Sequence, residues 1–383
     1  MNGGTIMKRK ALISASLAAG ILLGTGTAAA FSQIEQQQGL NAEASTSGTT
    51  TDGWRYYAYD DYCEITGGNE FLQGDVAMPA SITLADGVTK LPVKKVNSIY
   101  YSCDDITGLT IPSSISVLPR QFCELKKNLK TVTFEGALVS LPDSAFLSCS
   151  ALEKIKLPEN LSEIGSNAFQ NCVRLSSIDL PESVSTLGSY AFKGCESLKS
   201  IEIPGSVTEI PDSAFSGCTA LASVKIGDGV KKISSSAFYG CTSLTEVTFP
   251  KSVTSIEASL IFSGCNNLES VTIENPDCKL GNLAGTAEKP LIIYGYEGST
   301  AEEYCVNRMS MNGSSCGVEF KSIGEKPAPQ PVNDYGEFCD ANGDGSVDSG
   351  DAQLVLNYYV EDMAGNHPSW YAITKNPKAP DAP

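Results

Sequence analysis

Oxygen-bearing side chains recur at alternate positions in one short segment near the C-terminus, between Asp340 and Asp351. Gly345 stands at the sixth of these twelve positions, where a metal-binding loop of this length turns most sharply. Hard oxygen ligands with this spacing form the set that Ca²⁺ prefers. The spacing therefore predicts a calcium site with these ligands: Asp340, Asn342, Asp344, the backbone carbonyl of Ser346, Asp348 and Asp351. An acidic surface loop would explain the charges but not the glycine together with the alternation.

Cysteine is the second residue type whose spacing carries chemistry, since the chain holds 13. In an exported protein this number would ordinarily indicate disulfides. Six of them occupy one position of a repeated pattern: Cys149, Cys172, Cys195, Cys218, Cys241 and Cys265. Because a small thiol packs well in a core, the row predicts buried free thiols, with cross-links between neighbouring repeats as the alternative. Cys305 and Cys316 lie outside the row, and a disulfide between them stays open.

Groups suited to catalysis are scarce. The single histidine is His367, near the C-terminus, which makes a serine–histidine or cysteine–histidine pair improbable. Carboxylates are plentiful, so a pair for glycoside hydrolysis is not excluded by counting, but nothing in the sequence groups them. We therefore expect no catalytic residues and no enzymatic activity.

A repeat of 23 residues runs through the middle of the chain. The structure that these repeats form must position any functional surface in this region. The period is marked by Phe146, Phe169, Phe192, Phe215 and Phe238. Repeats of this length bury their apolar faces only by stacking, so the sequence predicts a solenoid. Within one unit, Ser177–Leu180 alternates polar and apolar residues, which indicates a strand with one buried face. The following SYAFKGC segment lacks alternation and indicates a helical turn that places Phe192 in the interior.

Two consecutive units read LSEIGSNAFQNCVRLSSIDLPESVSTLGSYAFKGCESLKSIEIP. This text resembles the leucine-rich repeats of the BspA-like group of bacterial surface proteins, with their IGxxAFxxCxxLxxIxIP consensus. The resemblance implies an α/β repeat solenoid of about 23-residue coils with short parallel strands over residues 106–275. Residues 45–105 would then form an N-terminal cap with degenerate repeats, and residues 276–323 a C-terminal cap.

The exposed strand positions are where recognition would take place. Between the two buried residues of each strand, successive coils present Thr133, Lys156, Asp179, Glu202, Lys225, Thr248 and Thr272. Two neighbouring pairs, Lys156–Asp179 and Glu202–Lys225, have opposite charges and are predicted to pair across the sheet. The row contains no aromatic residue, which argues against a sugar-binding groove. Either a solvated face with stabilising charge pairs or a polar protein-docking face fits this composition.

A proline-rich linker, residues 324–336, precedes the calcium loop, and a helix is predicted over Ala352–Met363. A calcium loop followed by one helix resembles half of a dockerin, the small α-helical EF-hand-like module that binds cohesin domains of cellulosome-type scaffolds. The resemblance implies a dockerin-like module at 337–383 with these cohesin-contacting residues: Ser349, Gly350, Leu356, Asn357 and Glu361. Leu356 is equally suited to the module's core. Dockerins carry two loop–helix repeats, and one is legible here.

The N-terminus predicts export. Lys8-Arg9-Lys10 precedes an apolar run, and small residues follow, so residues 1–30 read as a signal peptide, with cleavage as late as residue 44 as the alternative. No later stretch reads as a membrane span. The net charge of −17 argues against nucleic acid as a partner.

Together these features predict a non-catalytic, secreted or cell-surface repeat protein with bound Ca²⁺. It would dock through its C-terminal module onto a cohesin-bearing scaffold, and its repeats would contact an unknown protein or surface. The alternatives are a free secreted adhesin or inhibitor, and a polysaccharide-degrading enzyme component.

Overall fold

The structure is a computed structural model that describes residues 46–99, 102–257, 260–283, 290–312 and 317–327. The chain divides into two units, Met1–Glu325 and Lys326–Pro383, and every strand and helix below belongs to the first. The predicted signal peptide, most of the linker and the dockerin-like module lie outside the described residues. Their limits remain predictions.

The N-terminal part of the described chain is a mixed sheet of parallel and antiparallel strands. Its strands and the neighbouring β4 are β1 (Thr46–Thr49), β2 (Trp54–Ala58), β3 (Cys63–Gly68), β4 (Gln73–Ala77), β5 (Ser81–Thr83) and β6 (Lys90–Val96). The sheet order is β1-β2-β3-β6-β5, with only the β3–β6 pair parallel. Trp54 is fully buried, and its indole N–H donates to the Ala77 carbonyl at 2.9 Å. This bond joins the mixed sheet to β4, which pairs with the first repeat strand.

Most coils then contribute a strand to a first parallel ladder. Its strands are β7 (Asp105–Ile111), β8 (Thr131–Phe134), β10 (Lys154–Ile155), β13 (Ser200–Ile203), β15 (Ser223–Ile226), β17 (Glu246–Phe249) and β19 (Ser270–Ile273). The predicted strand at Ser177–Leu180 is absent, although Ile178 is buried as predicted. The Lys199 amide still donates to the Ser176 carbonyl at 3.3 Å, so the coils stay joined there without a regular strand.

A second parallel ladder is formed by residues that follow the first-ladder segments in the sequence. Most of the first-ladder segments end at a proline. The second ladder consists of two-residue strands: β9 (Ser140–Leu141), β11 (Glu163–Ile164), β12 (Thr186–Leu187), β14 (Glu209–Ile210), β16 (Lys232–Ile233), β18 (Ser255–Ile256) and β20 (Lys279–Leu280). The second residue of each faces inward, and all are buried except Leu280, which is partly buried. This ladder is too short to be predicted from alternation, which needs several residues to be visible.

The SYAFKGC segment forms consecutive turns instead of the helical turn that the sequence suggested. The Lys193 and Cys195 amides donate to carbonyls three residues back, at 3.1 Å each. Tyr190 (φ 62°) and Gly194 (φ 72°) adopt left-handed backbone conformations, which a right-handed helix excludes. Phe192 is nevertheless fully buried, as predicted. The α/β prediction is therefore wrong for the coils, which consist of strands and turns.

The C-terminal cap supplies the one helix among the described residues. The cap consists of β21 (Leu291–Glu297), α1 (Thr300–Asn312) and β22 (Val318–Glu325), and both strands extend the first ladder beyond β19 in parallel. The Ser299 hydroxyl accepts from the Glu302 amide at 3.4 Å, and the Glu302 carboxylate accepts from the Gly298 amide at 2.7 Å. These bonds satisfy amides at the helix start, which have no partner within the helix.

Candidate recognition surface

The seven predicted exposed positions form a row that follows the first ladder: five lie on its strands, and Lys156 and Asp179 lie in the corresponding segments outside any strand. Sheet pairing places Glu202 opposite Lys225 and Thr248 opposite Thr272. Every predicted member is exposed except Thr272, which is partly buried. Beneath the row, each coil buries a phenylalanine, and from Phe146 to Phe262 the ring centroids of neighbours are 5.4–6.0 Å apart in stacked geometry. The stacked core therefore sets a regular step from one coil to the next beneath the row.

One of the two predicted ion pairs forms. The Lys225 ammonium donates to the Glu202 carboxylate, and this bond raises the pKa of Lys225. No ion pair joins Lys156 to Asp179 within the part of the chain that the structure describes, so that prediction is wrong. Asp179 lies in the coil without a first-ladder strand, and sheet pairing does not bring its carboxylate to Lys156.

In the coils, this row contains no aromatic residue. Its continuation into the C-terminal cap does contain one. Tyr294 of β21 pairs with Thr272 and continues the row, and Lys321 of β22 follows it. Sequence reasoning placed this segment in the cap and missed its part in the face. The signal was present, because LIIYGYE alternates in the same way as the repeat strands and its Leu291 and Ile293 are buried. The argument against sugar binding therefore does not extend to the C-terminal end of the face.

The six repeated cysteines are free and buried, which confirms the predicted thiol ladder. Each thiol donates to a backbone carbonyl of the preceding coil: Cys149 to Cys123 at 2.9 Å, Cys172 to Phe146 at 3.1 Å, and Cys195, Cys218, Cys241 and Cys265 to the preceding phenylalanines at 3.0–3.2 Å. Burial raises the pKa of Cys149 and of Cys218 to about 12. Cys149 and Cys218 are therefore neutral donors rather than nucleophiles, whereas a hydrogen bond with Cys241 lowers the pKa of Cys265, the last thiol of the row. Cys316 lies outside the described residues, so its pairing remains untested.

The position 23 residues before Cys149 holds a lysine, which sequence reasoning missed. Lys126 is 1 % exposed, and its ammonium lies 2.6 Å from the Asp104 carboxylate. The period itself was the signal, because 149 minus 23 is 126. A charged group this deeply buried is tolerated only where partners compensate for lost hydration.

The predicted calcium and cohesin-contacting residues are beyond what the structure describes. They are Asp340, Asn342, Asp344, Ser346, Asp348, Asp351, Ser349, Gly350, Leu356, Asn357 and Glu361. Within the described ranges, no group of three histidine, cysteine, aspartate or glutamate side chains is arranged to hold a metal ion. Within those ranges, too, every helix is too short or too polar to cross a bilayer.

A model of the BspA type leucine rich repeat region matches in 6 copies, over residues 93–222 and 162–284. The two segments together cover half of the chain. The chain belongs to the BspA-type leucine-rich repeat family. The match includes every BspA-type coil described above, from β7 to β20.

Solved structures of similar proteins include a leucine-rich repeat protein from Bacteroides ovatus, 23% identical over 74% of this chain and 78% of the other, with a TM-score of 0.40. The T. pallidum leucine-rich repeat protein is 27% identical over 52% of this chain and 87% of its own, with a TM-score of 0.34. A leucine-rich cell surface protein from Faecalibacterium prausnitzii is 18% identical over 67% of this chain and 97% of its own, at 0.26. The comparison with curated proteins found no match.

Proposed function

We propose that this chain is a non-catalytic recognition protein of the cell surface or the extracellular medium. One observation carries this proposal: the first ladder presents an exposed row, Thr133 to Thr248, on a core that is buried throughout. Such a surface is long, regular and rigid, and it suits contact with another macromolecule more than enclosure of a small substrate. The signal-like residues 1–30 support an exported location.

The recognition role is tested by blocking the row without disturbing the core. Thr133 and Thr248 are exposed, so replacing both by tryptophan adds bulk to the face alone. We expect full-length protein to bind a bacterial or epithelial cell surface, measured by flow cytometry, and the double variant to lose at least about tenfold in affinity. Tryptophan at Thr186 and Thr208, exposed on another side of the coils, is the control and should bind normally. A double variant that binds like the control would contradict the proposal.

The second half of the proposal concerns the C-terminus. Residues 337–383 would bind Ca²⁺ through Asp340, Asn342, Asp344, Ser346, Asp348 and Asp351, and would dock onto a cohesin. The support is the donor chemistry, because hard oxygens at these intervals match the needs of Ca²⁺. Dockerins have two calcium loops, and one is recognisable in this sequence. A free adhesin whose tail is stiffened by calcium is therefore the second candidate for the function.

Docking is tested with full-length protein on a panel of immobilised cohesin domains, in calcium and in chelator. The expected result is calcium-dependent capture that disappears in Asp344→Ala, which removes a central ligand. Asp60→Ala, an exposed site in the N-terminal cap, is the matched control. Calcium binding without capture by any cohesin would reject docking and leave the free adhesin.

A further inference from the structure

A basic groove runs along the edge of the first ladder where its strands begin. It consists of two open concavities, about 800 and 480 Å³ in volume, that share Arg174. Lys127 and Lys130 line the N-terminal concavity, whereas Lys154 and Lys199 line the next. The groove therefore crosses four consecutive coils and presents cations from each.

Four of these cations have no ion-pair partner among the residues that the structure describes. Lys127, Lys130, Lys154 and Lys199 are exposed, and none forms an ion pair with a described residue. Arg174 is engaged by Glu153 at 3.6 Å. An ammonium group without an ion pair can exchange its bound water for a ligand carboxylate, and no ion pair within the protein has to be broken first.

The backbone beneath the lysines is held from coil to coil. The Glu153 amide donates to the Lys130 carbonyl at 2.9 Å, and the Ala222 amide donates to the Lys199 carbonyl at 2.9 Å. These bonds tie the backbone at Lys130 and at Lys199 to the next coil, so a ligand that spans the groove meets side chains carried by an ordered backbone. Preorganisation of this kind lowers the entropic cost of binding.

The charge of the groove is opposite to that of the protein. Five cations line it against three carboxylates, Asp105, Glu153 and Glu196, in a chain with a net charge of −17. No aromatic residue is among its lining residues. Charge complementarity thus selects an anionic ligand, and the missing stacking platforms favour a peptide over a polysaccharide.

We propose that this lysine groove binds an extended acidic segment of a partner protein. The inference rests on the proposed function, in which the repeats are the recognition module, and adds the class of ligand. The stacked rings of neighbouring coils are 5.4 Å apart, and alternate side chains of an extended peptide are about 7 Å apart, a difference that flexible lysine stems absorb. Glutamate or aspartate carboxylates on the facing side of the peptide would each meet an ammonium group.

The test measures binding of a fluorescent oligoglutamate peptide to full-length protein by anisotropy. Glutamine at Lys127, Lys130, Lys154 and Lys199 removes the four unpaired charges, and we expect affinity to fall at least about tenfold. The matched control removes the same charge elsewhere, with glutamine at Lys90, Lys231, Lys251 and Lys279, all exposed. The control should retain affinity within about twofold, and wild-type binding should weaken as salt rises. Thermal unfolding of both variants confirms that they are folded.

Three results would overturn the inference: no binding of the peptide, equal losses in both variants, or binding of a sulfated polysaccharide in preference to the peptide. The same wild-type preparation is tested on cells and on cohesins. Binding there without peptide binding rejects the acidic-peptide ligand alone. Absence of binding on cells and cohesins is instead a failure of the proposed function itself.

Discussion

A buried thiol keeps its proton because the surrounding side chains cannot solvate a thiolate. In this solenoid, the repeated cysteines therefore act as small hydrogen-bond donors that join each coil to a carbonyl of the one before it. The same burial protects them from oxidants and alkylating reagents, whose target is the thiolate. This fold can thus carry many free thiols without cross-links, provided that it stays folded.

The thiol ladder makes stability fall in alkaline solution. The pKa of Cys149 and of Cys218 is about 12 in the fold and near the ordinary 9.0 when unfolded. Below pH 9 both states are protonated and the free energy of unfolding is unaffected; between 9 and 12 only the unfolded thiol ionises, so stability is lost. We expect about 1 kcal/mol lost per thiol at pH 10, measured by urea unfolding. Cys149→Ala with Cys218→Ala is the control and should show a weaker decline above pH 9.

The burial of the Lys126 side chain can be tested with a single substitution. Lys126→Glu would bury a carboxylate beside Asp104, and we expect a loss of about 3 kcal/mol or more in the free energy of unfolding. Its neighbour Lys127 is exposed, so Lys127→Glu should cost less than about 0.5 kcal/mol. Urea unfolding of both variants checks the difference. Equal small losses would show that Lys126 reaches water.

At the scale of elements, strands of two to four residues are too short to be stable alone. Here they are held by the coils above and below and by a continuous stack of phenylalanine rings. Left-handed residues such as Tyr190 and Gly194 turn the chain back between stacked layers. The stack, rather than any one strand, is therefore the unit of stability.

Removing one ring should disturb both neighbouring coils. Phe215 stacks at 5.4 Å on Phe192 and at 5.7 Å on Phe238, so Phe215→Ala leaves a cavity between layers. We expect a loss of about 3–5 kcal/mol in the free energy of unfolding by urea denaturation. Tyr239→Ala, whose side chain is 44% exposed, is the control and should cost less than about 1 kcal/mol. A loss at Phe215 no greater than at Tyr239 would contradict this account.

For the described unit as a whole, the two ends are closed by different means. The mixed sheet of β1, β2, β3, β5 and β6 covers the N-terminal end, whereas β21, α1 and β22 cover the C-terminal end. A repeat array without such ends would expose apolar coil surface and unpaired strand edges. The outer strand β22 is mostly exposed and bears Glu319, Lys321 and Glu325, charges that discourage pairing with another chain.

Deleting residues 291–325 should increase self-association or aggregation relative to the full chain. The deletion uncovers the β19 edge and the buried side of the last coil, including Val271 and Ile273. Size-exclusion chromatography with light scattering measures the change. The full chain is the control, and a deletion variant that elutes as a well-folded monomer would show that the last coil needs no cap.

Local spacing was sufficient to predict the solenoid, the buried phenylalanines, the free-thiol ladder and the outward row from Thr133 to Thr272. Each of these depends on a residue's position within the 23-residue period, which is visible in the chain itself. The calcium loop is likewise inferred from local spacing alone, and it remains a prediction.

Only the tertiary structure decided what depends on neighbours from other coils. It made the SYAFKGC segment a series of turns, joined Tyr294 to the row, and formed the Glu202–Lys225 pair but not Lys156–Asp179. It also placed Lys126 in the core and grouped cations from four coils, four lysines and Arg174, into one groove. The physical reason is that stacking brings together residues 23 or more positions apart, whose distances and burial arise when the coils pack.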